Sequence, residues 1–536
     1  MAADQRCRIK LITDLLITDY FHHRAGCNVS RKWHGNCFSC NAGFLIENIP
    51  ALKNDAMSTP KSAGYGLRST CLSFVEILSQ SVANISPTLT PVVIVPFVFA
   101  SAGNGTWLTY LVATAALILV GLSIAEFAKR SASPGALYVC IGHGLGPSMG
   151  FLAGWCLIIA YIFTAIAVLA GSVNYALILL SMLKLSVPPV VLFAIGTFLV
   201  WFVAYRDIQL STRLMLFLEG GSMALILLVC AIVFMNHGTA FDPAQLKLEG
   251  LSFDGFRLGL ILAIFSYVGY ESATALGEEA KRPLVFIPRA VLMSALISGI
   301  FFVICSYTAT LGFRGLANPL DKSTAPFNDL ADVAHLPFMG VLISVGAVVS
   351  MWACTLASVN AASRVIFTMG RHGVFHEKLG SAHNKNETPH HAVTLCAVLT
   401  FAFAAIFGWL GLGVLDIFND FSTIATFGFL IVYIMVSVAA PVYLKSLGAL
   451  KISNIIISVI SILLMLMPLV AAVYPVPAPP ADKFPIYFGI YLLVGIAWFV
   501  WLRFRANHVV DTMRSDLESV HDRFDVKRKS LTQEVA

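Results

Sequence analysis

Long apolar runs, separated by short polar loops, dominate the chain from about residue 71 to about residue 503. A run of about 20 apolar residues is long enough to cross roughly 30 Å of hydrocarbon as a helix. The alternating pattern over about ten residues that is typical of a membrane β-barrel does not accompany these runs. The pattern therefore predicts an all-α integral membrane protein with twelve transmembrane helices.

The predicted spans, numbered as segments 1 to 12 in chain order, fall into three groups. Segments 1 to 5 lie within residues 71–236, segments 6 to 10 within 255–444, and segments 11 and 12 within 453–503, before a tail at 504–536. The predicted bounds are 71–99, 107–128, 147–180, 189–205 and 210–236 in the first group, 256–280, 288–312, 338–369, 390–409 and 415–444 in the second, and 453–474 and 484–503 in the third.

Composition agrees with a membrane protein. Hydrophobic residues make up 58% of the chain and charged residues 12%, with a mean hydropathy of +0.81. Soluble domains carry about 25% charged residues, so this chain is too apolar to be one. Most of the eleven cysteines stand singly inside apolar spans, where they pack as small apolar residues.

Basic side chains concentrate in alternate loops, which indicates membrane topology and not nucleic-acid binding. The positive-inside rule then predicts that both termini and the tail at 504–536 are cytoplasmic. We expect a protein of the inner or plasma membrane of the cell. An even number of spans agrees with that orientation. The loops rich in basic residues contain Lys129 and Arg130; Arg206 and Arg213; Lys281, Arg282 and Arg289; Arg371, Lys378 and Lys385; and Lys445 and Lys451.

Residues 1–70 differ from the rest because they are polar, basic and without hydrophobic periodicity. We expect a disordered leader, and Met57 is an alternative start that would leave only a short cytoplasmic tail. Cys37 and Cys40 form a CxxC motif, which can bind zinc. The second CxxC of such a site is missing, so we predict no metal site.

Two spans are interrupted near the middle of the membrane. Segment 1 contains Pro87, which lacks an N–H and disfavours helix at Ser86. Segment 6 contains Gly269 between two tyrosines. Interruptions in a membrane survive where they line a cavity or are covered by protein, and a corresponding pair in two halves points to a transporter site. Because the two lie five spans apart, we predict two inverted five-helix repeats followed by two extra helices.

Interrupted helices supply binding groups without charged side chains. A half-helix N-terminus offers N–H groups to a carboxylate, and a C-terminus offers carbonyls to an ammonium group. Two facing breaks can hold an amino acid, or else Pro87 and Gly269 merely kink packed helices. The predicted substrate-binding residues are Ala83, Asn84, Ile85, Ser86, Pro87 and Thr88 in the first break, and Phe265, Ser266, Tyr267, Val268, Gly269 and Tyr270 in the second break.

Two carboxylates lie inside predicted spans. An ionisable group there is a functional candidate because burying it costs about 3 kcal/mol or more. Glu271 either carries a proton in a transport cycle or caps the second half of segment 6 by accepting its free N–H groups. Glu219 is the other coupling candidate, and its alternative is to snorkel or to pair with Arg213.

Segment 8 carries a row of polar side chains that includes Ser350, Thr355 and Ser358. Their hydroxyls either ligate sodium together with carbonyls of the first break, or bond the carbonyl one turn back along the helix. No P-loop, GxSxG or HExxH motif stands out. We therefore predict a protein that is not an enzyme, has no cofactor, and takes H⁺ or Na⁺ as a coupling ion if it takes one.

Three motifs resemble the amino acid–polyamine–organocation superfamily of permeases. SASPGALYVCIGHGLGPSMGFLAGW, residues 131–155, is similar to the family's cytoplasmic loop and start of the third helix. AIFSYVGYESATALGEEAKRPLVFIPRA, residues 263–290, resembles its sixth helix. NAASRVIFTMGRHGVFHEKLG, residues 360–380, resembles the end of its eighth helix, and the match extends over about residues 70–505.

The resemblance implies a leucine-transporter-type fold, alternating access, and substrate held at the two breaks. It also implies that Phe265 or a neighbour is an aromatic gate. The first break departs from the family's small-residue pattern, so we expect Asn84, Ser86 and Thr88 to supply donors instead. Some relatives carry a lysine where Ser222 stands here, which leaves proton coupling, sodium coupling and exchange open.

The predicted function is secondary active transport of amino acids, with a small-molecule substrate and the lipid bilayer as partners. The alternatives are a polyamine or organic amine carrier or exchanger, and a receptor that binds a ligand without moving it. A polyamine site needs more acidic side chains than Glu271 and Glu219 supply, and a receptor needs no access from two sides. The sequence leaves the particular substrate, the direction of flux and the oligomeric state open.

Overall fold

The computed structural model of the chain describes residues 66–236, 241–323, 325–474, 476, 479–505 and 509–516. These residues belong to one unit of the chain, Ala63–Ala536. The CxxC motif at Cys37 and Cys40, the alternative start at Met57 and the tail beyond residue 516 lie outside the described residues. The described part is built from helices and loops, with one isolated β-bridge between Leu72 and Ala280.

We label the α-helices of the described residues in chain order, and short helical turns of other types connect some of them. The α-helices are α1 (Phe74–Ile85), α2 (Val95–Ala102), α3 (Thr106–Ala128), α4 (Ala136–Leu145), α5 (Pro147–Met182), α6 (Pro189–Arg206), α7 (Ile208–Asn236), α8 (Pro243–Leu246), α9 (Phe253–Phe265), α10 (Pro283–Gly312), α11 (Pro326–Val333), α12 (Pro337–Arg371), α13 (His390–Trp409), α14 (Val414–Ser446), α15 (Ile452–Ala471) and α16 (Phe484–Arg505). A π-helical turn covers Thr90–Ile94, and 3₁₀ helices cover Gly103–Gly105, Tyr270–Leu276, Leu320–Lys322, Glu377–Gly380 and Ala481–Lys483.

Length and apolar composition identify 11 stretches of the described residues that are able to cross a membrane. The first stretch, Phe74–Ala128, is 55 residues long and contains α1, α2 and α3. Each of the others follows one long helix, or a helix joined to a 3₁₀ turn. The chain is therefore an all-helical, multi-pass membrane protein, as its hydrophobic pattern predicts.

The observed helices coincide with the predicted segments because the length of each apolar run determines both the prediction and the helix that forms. α13, His390–Trp409, has the bounds predicted for segment 9, and α5, Pro147–Met182, extends only slightly beyond segment 3. Segment 6 differs from the prediction. We expected an α-helix on both sides of its break, but α9 ends at Phe265 and the residues beyond the break form the 3₁₀ helix Tyr270–Leu276.

Local backbone geometry and hydrogen bonds contribute to the failure of segment 6 to resume as an α-helix. Gly269 adopts a left-handed conformation with φ of 89°, which ends regular helix at that residue. The Thr274 hydroxyl then donates to the carbonyl of Glu271 at 2.8 Å. Such side-chain bonds to nearby backbone compete with the α-helical pattern and favour short turns.

Helix starts follow signals that are visible in the sequence. Ser73 caps α1, since its hydroxyl accepts the N–H of Glu76 while the Glu76 carboxylate accepts the N–H of Ser73. Ser252 caps α9 by accepting the N–H of Gly255 at 3.0 Å. α5, α6 and α10 each begin at a proline, which has no N–H to leave unpaired.

α5 lies at the centre of the described helices. The apolar window of α5 is 89% buried inside the protein, against 28% for α15 and 17% for the span that contains α16. α5 packs mainly against α12 and α14, so helices from both predicted repeats meet there. The last two helices expose apolar faces of the kind that lipid covers.

Ion pairs secure several helix ends. Glu126 pairs with Lys129 at 3.0 Å, and Arg130 adds a second contact to Glu126 at 2.7 Å. Arg68, in the residues before α1, pairs at 2.7 Å with Asp207, which lies between α6 and α7. Pairs as exposed as this one contribute little to stability, about 0–1 kcal/mol.

Asp242, in the loop that leads to α8, is better placed to stabilise the fold. Its carboxylate accepts hydrogen bonds from Gln245 at 3.0 Å and from Arg314 at 2.9 Å. Burial alone raises the pKa of the Asp242 carboxyl, but these donors outweigh burial and hold the pKa below its ordinary value. The resulting stability is present above the ordinary aspartate pKa of about 3.9 and is lost as pH falls through the lower, folded value.

We expect Asp242→Asn to lower the thermal unfolding temperature at neutral pH, and the deficit to shrink as the pH falls below the ordinary aspartate pKa of about 3.9 and the wild-type carboxyl is protonated. Thermal unfolding of the purified protein in detergent at neutral and at acidic pH measures this. Asp254→Asn is the matched control, because the Asp254 side chain is 81% exposed and lies 3.5 Å from Arg257. If both variants lowered the unfolding temperature equally at neutral pH, the proposed stabilising role of Asp242 would be contradicted.

Candidate functional site

The first break is centred on Ser86, where α1 ends. Ser86 is left-handed, with φ of 50° and ψ of 68°, which is uncommon for a residue with a side chain. Its N–H donates to the carbonyls of Val82 at 3.2 Å and Ala83 at 3.1 Å, which closes the last turn of α1. Pro87 follows without an N–H, so the chain leaves the helix and resumes regular turns at Thr90.

The second break is centred on Gly269. The Gly269 N–H donates to the hydroxyl of Tyr433 at 3.2 Å, and its carbonyl accepts the side-chain N–H of Asn84 at 3.2 Å. A Cβ on Gly269 would overlap the Asn84 side chain. The two breaks are therefore in direct contact, and only glycine allows both the left-handed backbone and that close approach.

Gly269→Ala is expected to destabilise the protein by about 1–3 kcal/mol, because alanine meets both an unfavourable φ and an overpacked neighbour. Thermal unfolding in detergent measures the loss. Gly221→Ala is the matched control, since Gly221 lies within α7 and a Cβ there has no neighbour within 4 Å. The control should match or exceed the wild type, because alanine favours helix. A Gly269 variant as stable as this control would contradict the contact described.

Asn84 also joins the breaks to α12. Its side-chain carbonyl accepts the hydroxyl of Ser358 at 2.6 Å, and its backbone carbonyl accepts the thiol of Cys354 at 3.2 Å. One of the two side-chain N–H groups of Asn84 is bonded to Gly269 here, and its donation to a substrate stays a prediction. Asn84 thus holds α1, α12 and segment 6 together.

Glu271 follows the second break and is fully buried, with 0% exposure. The hydroxyl of Tyr161 donates to one carboxylate oxygen at 2.6 Å, and the hydroxyl of Tyr433 donates to the other at 2.5 Å. The predicted roles of Glu271 as an internal cap and as a proton carrier both stay predictions.

Sequence reasoning missed Tyr161 and Tyr433, which come from α5 and α14. Each is a tyrosine within a long apolar span. A buried tyrosine hydroxyl requires a partner, which was the available signal. Through these two side chains, the centre of the fold is hydrogen-bonded to Glu271.

Glu219 of α7 is buried beside the first break, with 2% exposure. Both its carboxylate oxygens are 2.9 Å from the hydroxyl of Ser350, which lies 3.1 Å from the hydroxyl of Ser86. The alternative that Glu219 pairs with Arg213 is wrong, because Arg213 bonds Glu76 at 2.8 Å. Glu219 does not snorkel either, since its carboxylate bonds in the protein interior.

Two other polar residues singled out from the sequence, Ser222 and Thr355, donate their hydroxyls to backbone carbonyls. Ser222 donates to the carbonyls of Leu218 at 2.8 Å and Gly346 at 3.1 Å, and so connects α7 to α12. Thr355 donates to the carbonyl of Met351, one turn back, at 3.0 Å. Thr355 therefore adopts the non-ligand alternative described for segment 8.

The remaining predicted residues line the breaks in different surroundings. The Tyr267 hydroxyl lies 2.6 Å from the hydroxyl of Thr114. The hydroxyls of Thr88 and Tyr270 are buried and have no hydrogen-bond partner in the described part of the chain. The other members of the two breaks, Ala83, Ile85, Pro87, Ser266 and Val268, are buried in the protein.

Phe265, the predicted aromatic gate, is half-buried and borders a cavity of about 220 Å³. Among the predicted substrate-binding residues, Phe265 alone lines this cavity in the described residues. The cavity lies between α9, α14 and α15, and its wall includes Leu262, Phe418, Thr426 and Leu430. One side of the second break therefore adjoins open, mainly apolar space.

A buried ion pair lies at the opposite end of segment 6. The side chains of Arg364 and Glu279 are 2% and 1% exposed and approach to 2.6 Å. The backbone carbonyl of Glu279 also accepts the N–H groups of Cys71 at 2.8 Å and Leu72 at 2.9 Å. These contacts tie α12 and the end of segment 6 to the residues that precede α1, a connection that sequence reasoning missed.

The family of the protein follows from comparison with known sequences. The sequence model of the family described as amino acid permease matches residues 76–512. That range contains both breaks, Glu219 and the buried ion pair. The chain belongs to the amino acid permease family.

Individual relatives agree with that membership. The chain is 26% identical over 370 residues to the branched-chain amino acid permease BcaP of Bacillus subtilis (strain 168), covering 64% of this chain and 75% of BcaP. It is 26% identical over 366 residues to the low-affinity putrescine importer PlaP of Escherichia coli (strain K12), covering 65% and 76%. It is 24% identical over 359 residues to cationic amino acid transporter 4 of Mus musculus, covering 62% and 54%. Family and relatives indicate a transporter.

Proposed function

We propose that the chain is a secondary active transporter that moves amino acids across the plasma membrane by alternating access. The main support for the proposal is that the two breaks contact each other through Asn84 and Gly269. The breaks also contain the buried hydroxyls of Thr88 and Tyr270, which have no hydrogen-bond partner among the described residues. Buried polar groups in proteins nearly always have partners. We therefore assign these two hydroxyls to the substrate.

Twelve crossings and an inverted repeat account for the helix pattern. A single helix of the 55 residues Phe74–Ala128 would be roughly 80 Å long, against about 30 Å of hydrocarbon, so this stretch crosses twice. Residues 71–236 then form one five-span repeat, and residues 255–444 form the inverted second repeat. The interrupted span comes first in each, and α15 and α16 are the additional crossings. We infer from the basic loops that both termini lie in the cytoplasm.

An α-amino acid fits the breaks through its charged ends. The carbonyl end of α1 carries a partial negative charge at the first break and favours the ammonium group. The N–H groups of the turn that follows Ser86 favour the carboxylate, and the Thr88 hydroxyl adds a donor. The side chain of the substrate then extends towards Phe265 and the apolar cavity beside it.

We favour amino acids over polyamines because the breaks offer few anionic partners. Glu271 and Glu219 are the acidic residues near them; both oxygens of Glu271 already accept tyrosine hydroxyls, and Glu219 reaches the first break only through Ser350. Putrescine, which the name of PlaP gives as its substrate, has two ammonium groups and needs two free anionic partners. The name of BcaP and the apolar wall near Phe265 support a substrate with an apolar side chain.

Alternating access requires the packed ends of the site to open in turn. The pair of Arg364 and Glu279, together with the backbone bonds to Cys71 and Leu72, closes the cytoplasmic end of segment 6. Phe265 borders the cavity on the other side of the break. In this scheme Glu271 is the internal cap that keeps the second break in shape, and a proton is the coupling ion.

Uptake into proteoliposomes tests the proposed function. The purified full chain is expected to accumulate labelled L-leucine saturably under an inward pH gradient, with competition from other apolar amino acids and little from putrescine. Faster uptake of labelled putrescine than of any amino acid would support the amine alternative. Saturable binding of leucine without uptake would contradict transport and favour a receptor.

A further inference from the structure

Glu219 is a buried carboxylate with too few donors. Its single hydrogen-bond partner in the described part of the chain is the hydroxyl of Ser350, at 2.9 Å from both carboxylate oxygens. One hydroxyl has one proton and cannot satisfy two oxygens. A buried carboxylate normally has a cationic partner or several donors, so its surroundings suit a carboxyl that binds a proton.

The helices packed against α7 supply Glu219 with no cationic partner within the described residues. Cys354 of α12 is the titratable group within electrostatic range of it. Several other charged or titratable groups of these helices have partners elsewhere: Glu76 of α1 with Arg213, Arg364 of α12 with Glu279, Arg206 of α6 with the Phe202 ring, Cys305 of α10 with Cys230, and Asp329 of α11 with Ser323. Arg289 of α10 and Asp332 of α11 are exposed.

Three oxygens in a row connect Glu219 to the first break. Ser350 lies between Glu219 at 2.9 Å and Ser86 at 3.1 Å, and either serine can donate in the second contact. When Glu219 is ionised, Ser350 must donate to it, so Ser86 must donate to Ser350. When Glu219 is protonated, it donates to Ser350, Ser350 donates to Ser86, and the Ser86 proton is free.

We infer that protonation of Glu219 converts Ser86 from a donor to Ser350 into a donor to the substrate carboxylate. The inference rests on the proposed function, because it places that carboxylate at the first break. Ser86 sits at the left-handed turn that ends α1, so its freed proton lies at the break itself. Proton binding and substrate binding then favour one another, and each strengthens the other by the same factor.

The expected effect is a pH-dependent affinity. A hydrogen bond to a charged group, if lost, weakens binding by about 10- to 100-fold. The KM for uptake should therefore rise by that factor as the pH is raised through the titration of Glu219. The maximal rate should change less, because the switch acts on binding.

Leucine uptake at several pH values, without sodium, tests the switch with three variants. Glu219→Gln is neutral at every pH and its amide donates to Ser350, so we expect a low KM that is independent of pH. Ser350→Ala cuts the connection and should also abolish the pH dependence of KM. Ser461→Ala is the matched control, because the Ser461 hydroxyl bonds the carbonyl of Ile457 within α15.

A Glu219→Gln protein that keeps the wild-type pH dependence of KM overturns the inference, as does a KM that follows sodium and ignores pH. Infrared difference spectra of the purified protein supply a readout without transport: a protonated-carboxyl band should appear on acidification and be missing in Glu219→Gln. If the wild type takes up leucine but shows no such band, the proposed protonation of Glu219 is wrong and the proposed transport function stands. If the protonated-carboxyl band appears but no substrate is taken up, Glu219 still binds a proton and the proposed transport function is contradicted.

Discussion

Alanine in place of Arg364 is expected to lower the free energy of unfolding by about 3–5 kcal/mol. The guanidinium donates to one Glu279 oxygen at 2.9 and 2.6 Å, and both side chains are almost fully buried. Without Arg364, the Glu279 carboxylate is left buried and uncompensated, and the residues before α1 lose the support of the segment that they contact. We therefore expect a marked fall in thermal stability in detergent, with little protein recovered at 37 °C.

A double replacement separates the charge from the packing. Arg364→Met with Glu279→Gln removes both charges while keeping similar volumes, and should recover most of the stability lost in Arg364→Ala. Lys378→Ala, at an exposed position in the following 3₁₀ helix, serves as the charge-loss control. Equal stability of Arg364→Ala and Lys378→Ala would show that the buried pair does not stabilise the fold.

Replacing Glu271 by alanine is expected to be the most damaging change at the breaks. It leaves the buried hydroxyls of Tyr161 and Tyr433 without their acceptor, and each unsatisfied group costs about 1–3 kcal/mol. The second break loses its proposed cap at the same time. We expect leucine uptake to fall by about 100-fold or more, together with a loss of thermal stability.

Glu271→Gln distinguishes the two roles predicted for this residue. The amide keeps one acceptor for a tyrosine but cannot change its charge, so an internal cap should retain reduced, pH-dependent uptake. Tyr161→Phe, which removes one donor and leaves the carboxylate, is the milder matched variant. Uptake that becomes independent of pH in Glu271→Gln, but not in Glu219→Gln, would assign the coupling proton to Glu271 instead.

The helices and their interruptions were predictable because their causes are local. Apolar length defines α13 and α5, and the chemistry of Pro87 and Gly269 marks the breaks. The 3₁₀ helix Tyr270–Leu276 was not predictable, since it depends on packing against α1. There the Ser272 hydroxyl donates to the carbonyl of Gln80 at 3.3 Å, and the Ser81 hydroxyl accepts the N–H of Ala273 at 3.0 Å.

The partners of the buried carboxylates could not be predicted from the sequence, because they too depend on contacts between distant parts of the chain. Tyr161 and Tyr433 lie 110 and 162 residues from Glu271 along the chain, so no spacing rule connects them. A polar residue in an apolar span signals that a partner exists, but only the fold shows which one. The same limit produced the wrong pairing of Glu219 with Arg213.

The most direct test of the substrate position is leucine uptake by Thr88→Val and Tyr270→Phe. Both changes keep the shape of the side chain and remove a buried hydroxyl that has no partner among the described residues. We expect thermal stability to stay the same or rise, and KM to increase by about tenfold or more in each. Uptake with wild-type KM in both variants would contradict the placement of the substrate at the two breaks.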